Sequence, residues 1–412
     1  MQNAKKNHYL IDALVIVFIF AYIYKPFFLS LSAVLSLLLI GSMLVLCVNY
    51  GAKINGNANL ILGFIGICLV IFCPSIINPA DNNVKTFLSC QFVFFIIPVL
   101  FILLNDVLST KDKKIIIITT LCLWFYSLIT TLLGLQIYPY ASRLTAGWAT
   151  EVQKNLYYGL NIGGYEFIYA TVFLAPFVLF WIYDRYSNKL LRVMGLVFYV
   201  VSLFTVVASQ YAIAVVLIIV GTIVLFVRKK KKYVRIILWL TIGICSICLL
   251  ALSDVVLNLL VELASENEMG SLYNRLFTFK NALQVDGLKN FDRFRLYKKS
   301  IDAMFSYPVV GGSWFSGVSY SEHSGFLDVF AKYGILGFVW LLYLHTIKGK
   351  VVSISEDTGV YRTIMSLFLI FGFLNMFDIY IDISISIFML IPMMLSIQDN
   401  NQNQRSSKVV AI

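Results

Sequence analysis

The stretch FLSCQFVFFIIPVLFILL, residues 87–104, runs for eighteen residues without a charged side chain. A helix of that length rises about 27 Å, close to the roughly 30 Å hydrocarbon core of a lipid bilayer. Comparable apolar runs recur along the 412 residues, of which 60% are hydrophobic and 13% charged, and the mean hydropathy is +0.85. Soluble domains carry about 25% charged residues. The sequence therefore predicts an integral membrane protein and disfavours a soluble all-α protein.

We predict an all-α fold, a polytopic integral membrane helical bundle of about twelve transmembrane helices that forms a single domain over residues 1–412. The predicted spans are 9–24, 29–48, 58–79, 87–104, 115–137, 159–183, 192–208, 211–227, 236–252, 324–346, 363–377 and 381–396. The two segments around Gln210 are either two spans or one bent helix. The first apolar run is interpreted as a retained span, because it lacks the cleavage site of a signal peptide and a second run follows almost at once.

Lysine and arginine in the loops predict the orientation, because cytoplasmic loops of membrane proteins are enriched in both. With the N-terminus in the cytoplasm, the basic short loops fall on one side, and an even span count returns the C-terminus there. The run RKKKKYVR (228–235) lies on that side, where anionic lipids explain it better than nucleic acid does. The net charge of +11 therefore mainly reports topology. Two outer loops depart from the pattern: 138–158, and the large extracytoplasmic (periplasmic) loop 253–323 before the last three helices.

Nothing in the sequence predicts a metal or a disulfide. All seven cysteines lie inside or at the ends of apolar runs, where core packing explains them. No Asp-rich run or His–carboxylate spacing is typical of a metal site. Asp378 and Asp382 stand four residues apart near the outer end of the last helix pair, which indicates a capped or water-facing turn.

Histidine is scarce, since the chain contains only His8, His323 and His345. On the predicted topology, His323 is the one that faces the outer side, next to Glu322, where the long basic loop ends and a helix begins. An imidazole titrates near neutral pH and therefore suits proton transfer. A lone histidine in a loop is more often structural, so the functional interpretation depends on this position. We take His323 and Glu322 as candidate catalytic residues.

Three arginines, Arg143, Arg293 and Arg295, share the predicted outer side with His323. A guanidinium is always charged and grips phosphate through two parallel N–H donors, so these are candidate ligands of a diphosphate. The segment 293–305 sets basic among apolar residues at helical spacing. This predicts an amphipathic helix on the outer membrane surface, with its basic face toward anionic lipid head groups. A solvated loop is the alternative.

The segment LNIGGYEF, residues 160–167, opens the sixth span with a glycine pair and places Glu166 near the start of the helix. An ionisable side chain in a membrane segment is costly and tends to be paired or functional. Two interpretations stay open: Glu166 pairs with Arg143, or it meets substrate hydroxyls.

These motifs together resemble the signature of the O-antigen polymerase and O-antigen ligase superfamily, which comprises Wzy-type polymerases and their ligase relatives. That signature has an Arg, an aromatic residue four positions on, a Pro-x-x-Gly turn, and a His opening a helix that ends in a Gly-hydrophobic-hydrophobic-Gly step. The matching positions are Arg293, Tyr297, Pro308 with Gly311, His323 and YGILG (333–337), preceded by RLTAG (143–147) in the smaller loop. Ser324 departs from the Asn commonly found after the His, and Gly311-Gly312-Ser313 departs from Gly-x-Gly.

The resemblance implies a glycosyltransferase that works without metal, cofactor or nucleotide sugar in the bacterial cytoplasmic (inner) membrane. It implies a polysaccharide repeat-unit polymerase for O-antigen, capsule or exopolysaccharide. Such an enzyme moves a glycan from undecaprenyl diphosphate to an acceptor lipid-linked repeat unit on the outer face. His323 and Glu322 would act on the acceptor hydroxyl, and the three arginines would bind diphosphate. Gly311, Gly312 and Glu166 would belong to the acceptor site or to its structural support.

The implied partners are the undecaprenyl-diphosphate-linked oligosaccharide and membrane lipids, with a flippase and a chain-length regulator as protein partners and no nucleic acid. Two alternative functions stay open. An O-antigen ligase would use the same chemistry to move glycan to lipid A core. A multi-span flippase or transporter of lipid-linked glycan belongs to another class, and it would be expected to carry charged residues along a central cavity.

Overall fold

The computed structural model describes residues 2–78, 84, 87–145, 149–228, 230, 253–266, 270, 273, 274, 277, 280, 292–355, 357–375 and 380–397. Within these ranges, side chains are described for all residues except 2–8, 55, 253–257, 260, 264 and 292–294. Every regular element of this described part is a helix, which confirms the all-α prediction.

The helices, numbered in chain order, follow the apolar runs of the sequence. They are α1 (Gln2–Ile23), α2 (Lys25–Ser30), α3 (Ala33–Asn49), α4 (Ala58–Ile77), α5 (Phe87–Val107), α6 (Thr110–Ile137), α7 (Ala141–Leu144), α8 (Glu151–Gly159), α9 (Tyr165–Arg185), α10 (Lys189–Ala208), α11 (Ala212–Arg228), α12 (Ser253–Glu266), α13 (Asp292–Ser306), α14 (Gly325–Tyr333), α15 (Phe338–Ile354), α16 (Thr358–Leu374) and α17 (Ile381–Leu395). A tight turn, Gly334–Gly337, joins α14 to α15 into one continuous apolar segment.

Helices α5, α9 and α17 form the centre of the bundle, because nearly all of their side chains are buried. The helices around them bury one face and expose the other. Leu38 on α3, Ile118 on α6 and Phe204 on α10 are among the exposed large apolar side chains. Such outward-facing apolar surface along many helices is stable in contact with lipid rather than water. The architecture is therefore that of an all-α membrane bundle.

Within the described part of the chain, six segments are long and apolar enough to cross a membrane: α4, α5, α6, α9, α10 and the joined α14–α15. Five shorter apolar helices, in α1, α3, α11, α16 and α17, coincide with five further predicted spans. The predicted span 236–252 lies outside the described residues, so the count of twelve stays a prediction. The segments around Gln210 are two helices rather than one bent helix. Gln210 has φ +59° in the turn, and Thr222 on α11 donates to the hydroxyl of Tyr199 on α10 (2.9 Å), as in an antiparallel pair.

Contacts between loops define two ends of the bundle. At one end, which we call the Arg228 end, Arg228 pairs with Asp357 (3.1 Å) and Arg185 donates to the carbonyl of Ile397 (2.6 Å). At the other, the His323 end, the N–H of Gly325 donates to the carbonyl of Asn375 (3.0 Å). Each of these contacts joins two loops that the sequence analysis assigns to the same side of the membrane. The contacts therefore agree with the predicted alternation of loops.

Candidate active site at the His323 end

The Pro-x-x-Gly turn and the YGILG step pack against each other, although 23 residues separate Gly311 from Gly334. The N–H of Ile335 donates to the carbonyl of Pro308 (2.9 Å). Gly334 has φ +56°, and a Cβ there would lie 2.7 Å from the same carbonyl oxygen. Gly311 has φ +82°, and a Cβ there would overlap the backbone of Lys332. Both positions therefore need glycine, for its backbone conformation and for this close approach.

Gly312 is confined by side chains rather than by backbone. A Cβ on Gly312 would lie 2.8 Å from the hydroxyl oxygen of Tyr320. The ammonium of Lys332 lies over the ring of Tyr320, 5.4 Å from the ring centroid, in a cation–π contact. Of the two roles open for Gly311 and Gly312, these contacts favour the structural one.

Glu322 and His323 form the exposed turn that leads into α14. Glu322 has φ +54°, a left-handed conformation that costs a non-glycine residue about 1–2 kcal/mol. The N–H of His323 donates to Oγ of Ser321 (3.1 Å). Oγ of Ser324 accepts the N–H of Leu327 (3.3 Å) and caps α14, so this serine serves as the N-cap of the helix. The two candidate catalytic residues thus stand at the positive end of a helix dipole.

The predicted helix in segment 293–305 exists as α13. Its buried face, with Ser300 and Ala303, packs on α14, whereas Ile301 and Phe305 are exposed. Its position on an outer membrane surface stays a prediction. The side chain of Arg295 is exposed. The side chain of Arg293 lies outside the described part of the chain.

Arg143 lies on the short helix α7, in the smaller of the two predicted outer loops. Its guanidinium carbon is 5.8 Å from the ring centroid of Tyr211, and one guanidinium nitrogen, Nη1, is buried without a hydrogen-bond partner. The hydroxyl of Tyr211 donates to the carbonyl of Ser142 (2.8 Å), and Oγ of Ser142 donates to the carbonyl of Gly163 (2.7 Å). These bonds fix the loop against the start of α9 and leave Arg143 with a free donor.

A group of tyrosines connects Arg143 to the helix of His323. The ring centroid of Tyr165 lies 5.2 Å from that of Tyr211 and 4.8 Å from that of Tyr380. The hydroxyl of Tyr165 donates to Oδ1 of Asn375 (2.9 Å), whose carbonyl accepts the N–H of Gly325 in the first turn of α14. Nδ2 of Asn375 is buried without a partner. Arg143 and His323 therefore belong to one continuous region, with aromatic rings and unpaired donors between them.

The same end holds a buried ion cluster that the sequence analysis did not predict. The ammonium of Lys25 donates to Asp382 (2.8 Å), Glu166 (3.1 Å) and the carbonyl of Tyr22 (3.0 Å). Lys25 and Asp382 are fully buried, and the side chain of Glu166 is 15% exposed. Of the two interpretations for Glu166, pairing with Arg143 is wrong: its ion-pair partner is Lys25. The expectation of a water-facing turn at Asp382 is wrong for the same reason.

The segment from Tyr158 to Asn161, at the end of the smaller predicted outer loop, lies against this cluster. The backbone N–H of Lys25 donates to Oδ1 of Asn161 (2.9 Å), and Nδ2 of Asn161 donates to Thr130 (2.9 Å). Burial raises the pKa of Tyr158 on α8 to about 12, and the nearby carboxylate of Glu166 adds to the effect. The signal in the sequence was a lone lysine between two apolar runs. Lys25 falls between the predicted spans 9–24 and 29–48, so the rule that ionisable residues in membrane segments are paired was applied to Glu166 and not to Lys25.

Among the described residues, no group of three or more His, Cys, Asp or Glu side chains could hold a metal ion. No protein-family model matches the chain, and no curated protein matches it.

Proposed function

We propose that this chain is a polysaccharide repeat-unit polymerase of the cytoplasmic membrane, with its His323 end on the outer face and both termini in the cytoplasm. The hydroxyl oxygen of an acceptor sugar bonds to the anomeric carbon of a glycan carried on undecaprenyl diphosphate. The bond from that carbon to the diphosphate oxygen breaks, and undecaprenyl diphosphate leaves. Such a transfer needs a group that accepts the hydroxyl proton and cations that stabilise the departing diphosphate.

One observation carries the proposal. The Pro308 turn and the Gly334 step, which the resemblance treats as separate parts of one signature, meet backbone to backbone. This contact folds the long loop back onto α14 and sets Glu322 and His323 at the start of that helix. Arg143, from the other motif of the signature, lies at the same end of the bundle. If the glycine and proline motifs matched the signature only by chance, there would be no reason for them to lie together at one end of the bundle.

In the proposed reaction, the imidazole of His323 takes the proton of the acceptor hydroxyl. Its side chain is exposed, so an acceptor can reach it from outside the bundle. Glu322 is adjacent and also exposed, and its carboxylate stabilises the imidazolium that forms. General-base assistance of this kind contributes about 10²–10⁴-fold to a rate.

Arg143 binds the diphosphate through the donor that the fold leaves unpaired. A buried guanidinium N–H without a partner is costly, and a phosphate oxygen would satisfy it. The face of Tyr211 orients the guanidinium plane from one side. Arg293 and Arg295, near the start of α13, complete the proposed set of cations.

The test uses purified protein in liposomes with synthetic lipid-linked repeat units, with glycan length as the readout. We expect His323→Ala to abolish chain extension, and Arg143→Ala to abolish it as well. Lys280→Ala, which removes a basic residue of the large loop, should be near neutral. Full-length glycan ladders from the His323→Ala protein would refute the assignment of His323. Equal losses for Arg143→Ala and Lys280→Ala would mean that only bulk charge matters. A lipid A core acceptor in the same assay distinguishes a ligase.

The buried cluster of Lys25, Glu166 and Asp382 favours a second candidate, a transporter of lipid-linked glycan. Charged side chains buried between membrane helices often mark a transport pathway. The two functions differ in what the cluster does. A transporter requires it for movement of the lipid between leaflets, so Asp382→Asn would stop flipping of a fluorescent lipid-linked glycan in liposomes. A polymerase needs the cluster only to hold its helices together. If the chain is a polymerase, the wild-type protein should form polymer without moving lipid between the leaflets.

A further inference from the structure

Asp328 is a buried carboxylate for which the proposed reaction gives no role. It lies in the first turn of α14 and is 3% exposed. Its Oδ1 atom accepts hydrogen bonds from Oγ of Ser300 (2.5 Å), from Oγ of Ser321 (2.7 Å) and from the N–H of Ser321 (3.2 Å). Its Oδ2 atom is buried without a partner. A buried charge of this kind is costly, so its retention calls for a physical reason.

The hydrogen bonds of Asp328 join three segments that all lead to the candidate catalytic turn. Ser300 belongs to α13, the helix that carries Arg293 and Arg295. Ser321 directly precedes Glu322, and its N–H also donates to Oγ of Ser300 (2.8 Å). Oγ of Ser321 in turn accepts the N–H of His323 (3.1 Å). The carboxylate is thus connected through one serine hydroxyl to the backbone of the histidine.

The turn needs such support. Glu322 and His323 are exposed, so little packing holds them in place. Glu322 also adopts a left-handed backbone conformation, which is unfavourable for a residue other than glycine. Hydrogen bonds to a charged acceptor are stronger than neutral ones. Three of them converge on one oxygen of Asp328, and two of these come from Ser321, the residue before the strained turn.

We propose that Asp328 is a positioning residue that fixes the backbone of Glu322 and His323 through Ser321 and Ser300. The catalytic meaning of this role depends on the proposed function, whereas the positioning itself does not. A residue of this kind acts on turnover and leaves donor binding unchanged, since it touches neither the sugar nor the diphosphate. A displacement of about 1 Å in a reacting group can reduce a rate about a hundredfold.

The chain offers a direct probe, because it contains three histidines. Protein labelled with ¹⁵N at histidine gives three backbone amide signals, and loss of one signal in His323→Gln identifies that of His323. We expect Ser321→Ala to shift the His323 signal and to speed its hydrogen exchange at least tenfold, with the His345 signal unchanged. Asp328→Ala should do the same. Ser321→Thr, which keeps the hydroxyl, should restore the wild-type signal. Asp302→Asn, at an exposed carboxylate on α13, is the matched control.

In the transfer assay, Ser321→Ala should lower kcat about ten- to a hundredfold with little change in KM for the lipid-linked donor. A His323 amide that keeps its shift and exchange rate in Ser321→Ala overturns the proposal, and this variant decides the matter if Asp328→Ala fails to fold. Should the amide respond as expected while the wild-type protein forms no polymer, Asp328 positions the turn and the proposed function is wrong.

Discussion

Replacement of Lys25 by methionine tests whether the buried ion cluster supports the His323 end. Methionine keeps the length of the side chain and removes the ammonium, which makes three hydrogen bonds in the wild-type protein. Two carboxylates then face each other without a cation, and Asp382 has no access to solvent. Removal of one partner from a buried ion pair costs about 3–5 kcal/mol. For a chain of 412 residues we expect the melting temperature to fall by roughly 3–6 °C.

The assay is thermal unfolding of the detergent-purified protein, followed by the fraction that still elutes as a monodisperse peak after heating. Lys53→Met is the control, because Lys53 is exposed and an exposed substitution changes stability by about 0.5 kcal/mol or less. The double variant Lys25→Met/Asp382→Asn removes the charge that Lys25→Met leaves unpaired, so it should recover more than half of the lost stability. A melting temperature for Lys25→Met within about 1 °C of the wild type would refute the argument. So would a double variant that melts below the single one.

Three further expectations follow from the same geometry. Gly311→Ala should destabilise the protein more than Gly317→Ala in the same thermal assay. Both glycines have φ near +80°, but of the two only Gly311 has backbone atoms where its Cβ would lie. Equal losses of stability would mean that the backbone conformation alone matters. Arg293→Lys should slow glycan transfer while keeping the charge, since lysine lacks the planar fork, and full activity would remove the bidentate contact from the proposal. The topology can be tested in a cysteine-free background with a membrane-impermeant thiol reagent, in intact cells stripped of any outer barrier. Ser319→Cys should react in these cells, and Ser353→Cys should react only after the membrane is broken. The reverse pattern would invert the topology and remove the polymerase proposal with it.

The helices were predictable because an apolar run of sufficient length has few alternatives to a buried or lipid-facing helix. The capping of α14 by Ser324 was also within reach, since an N-cap is a local property of the chain. The direction in which each helix packs was not predictable from the sequence. The face that α13 turns toward α14 is set by Ser300, which bonds to Asp328, and no pattern of hydrophobicity indicates a buried serine.

The pairing of charges was the other property that the sequence did not indicate. Lys25 and Asp382 are 357 residues apart, and each looks like an ordinary residue at the end of an apolar run. Only the arrangement of α2, α9 and α17 brings them together. A single sequence holds no information on which of several ionisable residues at one end of a bundle become partners, because each choice satisfies the same local rules.

Lys25 and Arg143 both lie at the His323 end, and their partners decide which of these two cations is available to a substrate. Lys25 has three ammonium hydrogens, and a carbonyl and two carboxylates accept all three at 2.8–3.1 Å. A diphosphate approaching Lys25 would therefore have to displace an existing anion, and the excess negative charge of the cluster would repel it. Arg143 has the opposite arrangement, because among the described residues it has no carboxylate partner and retains a buried N–H without an acceptor. If either cation binds the diphosphate of a lipid-linked glycan, the physical chemistry of the site assigns that role to Arg143 and leaves Lys25 to hold the helices around it.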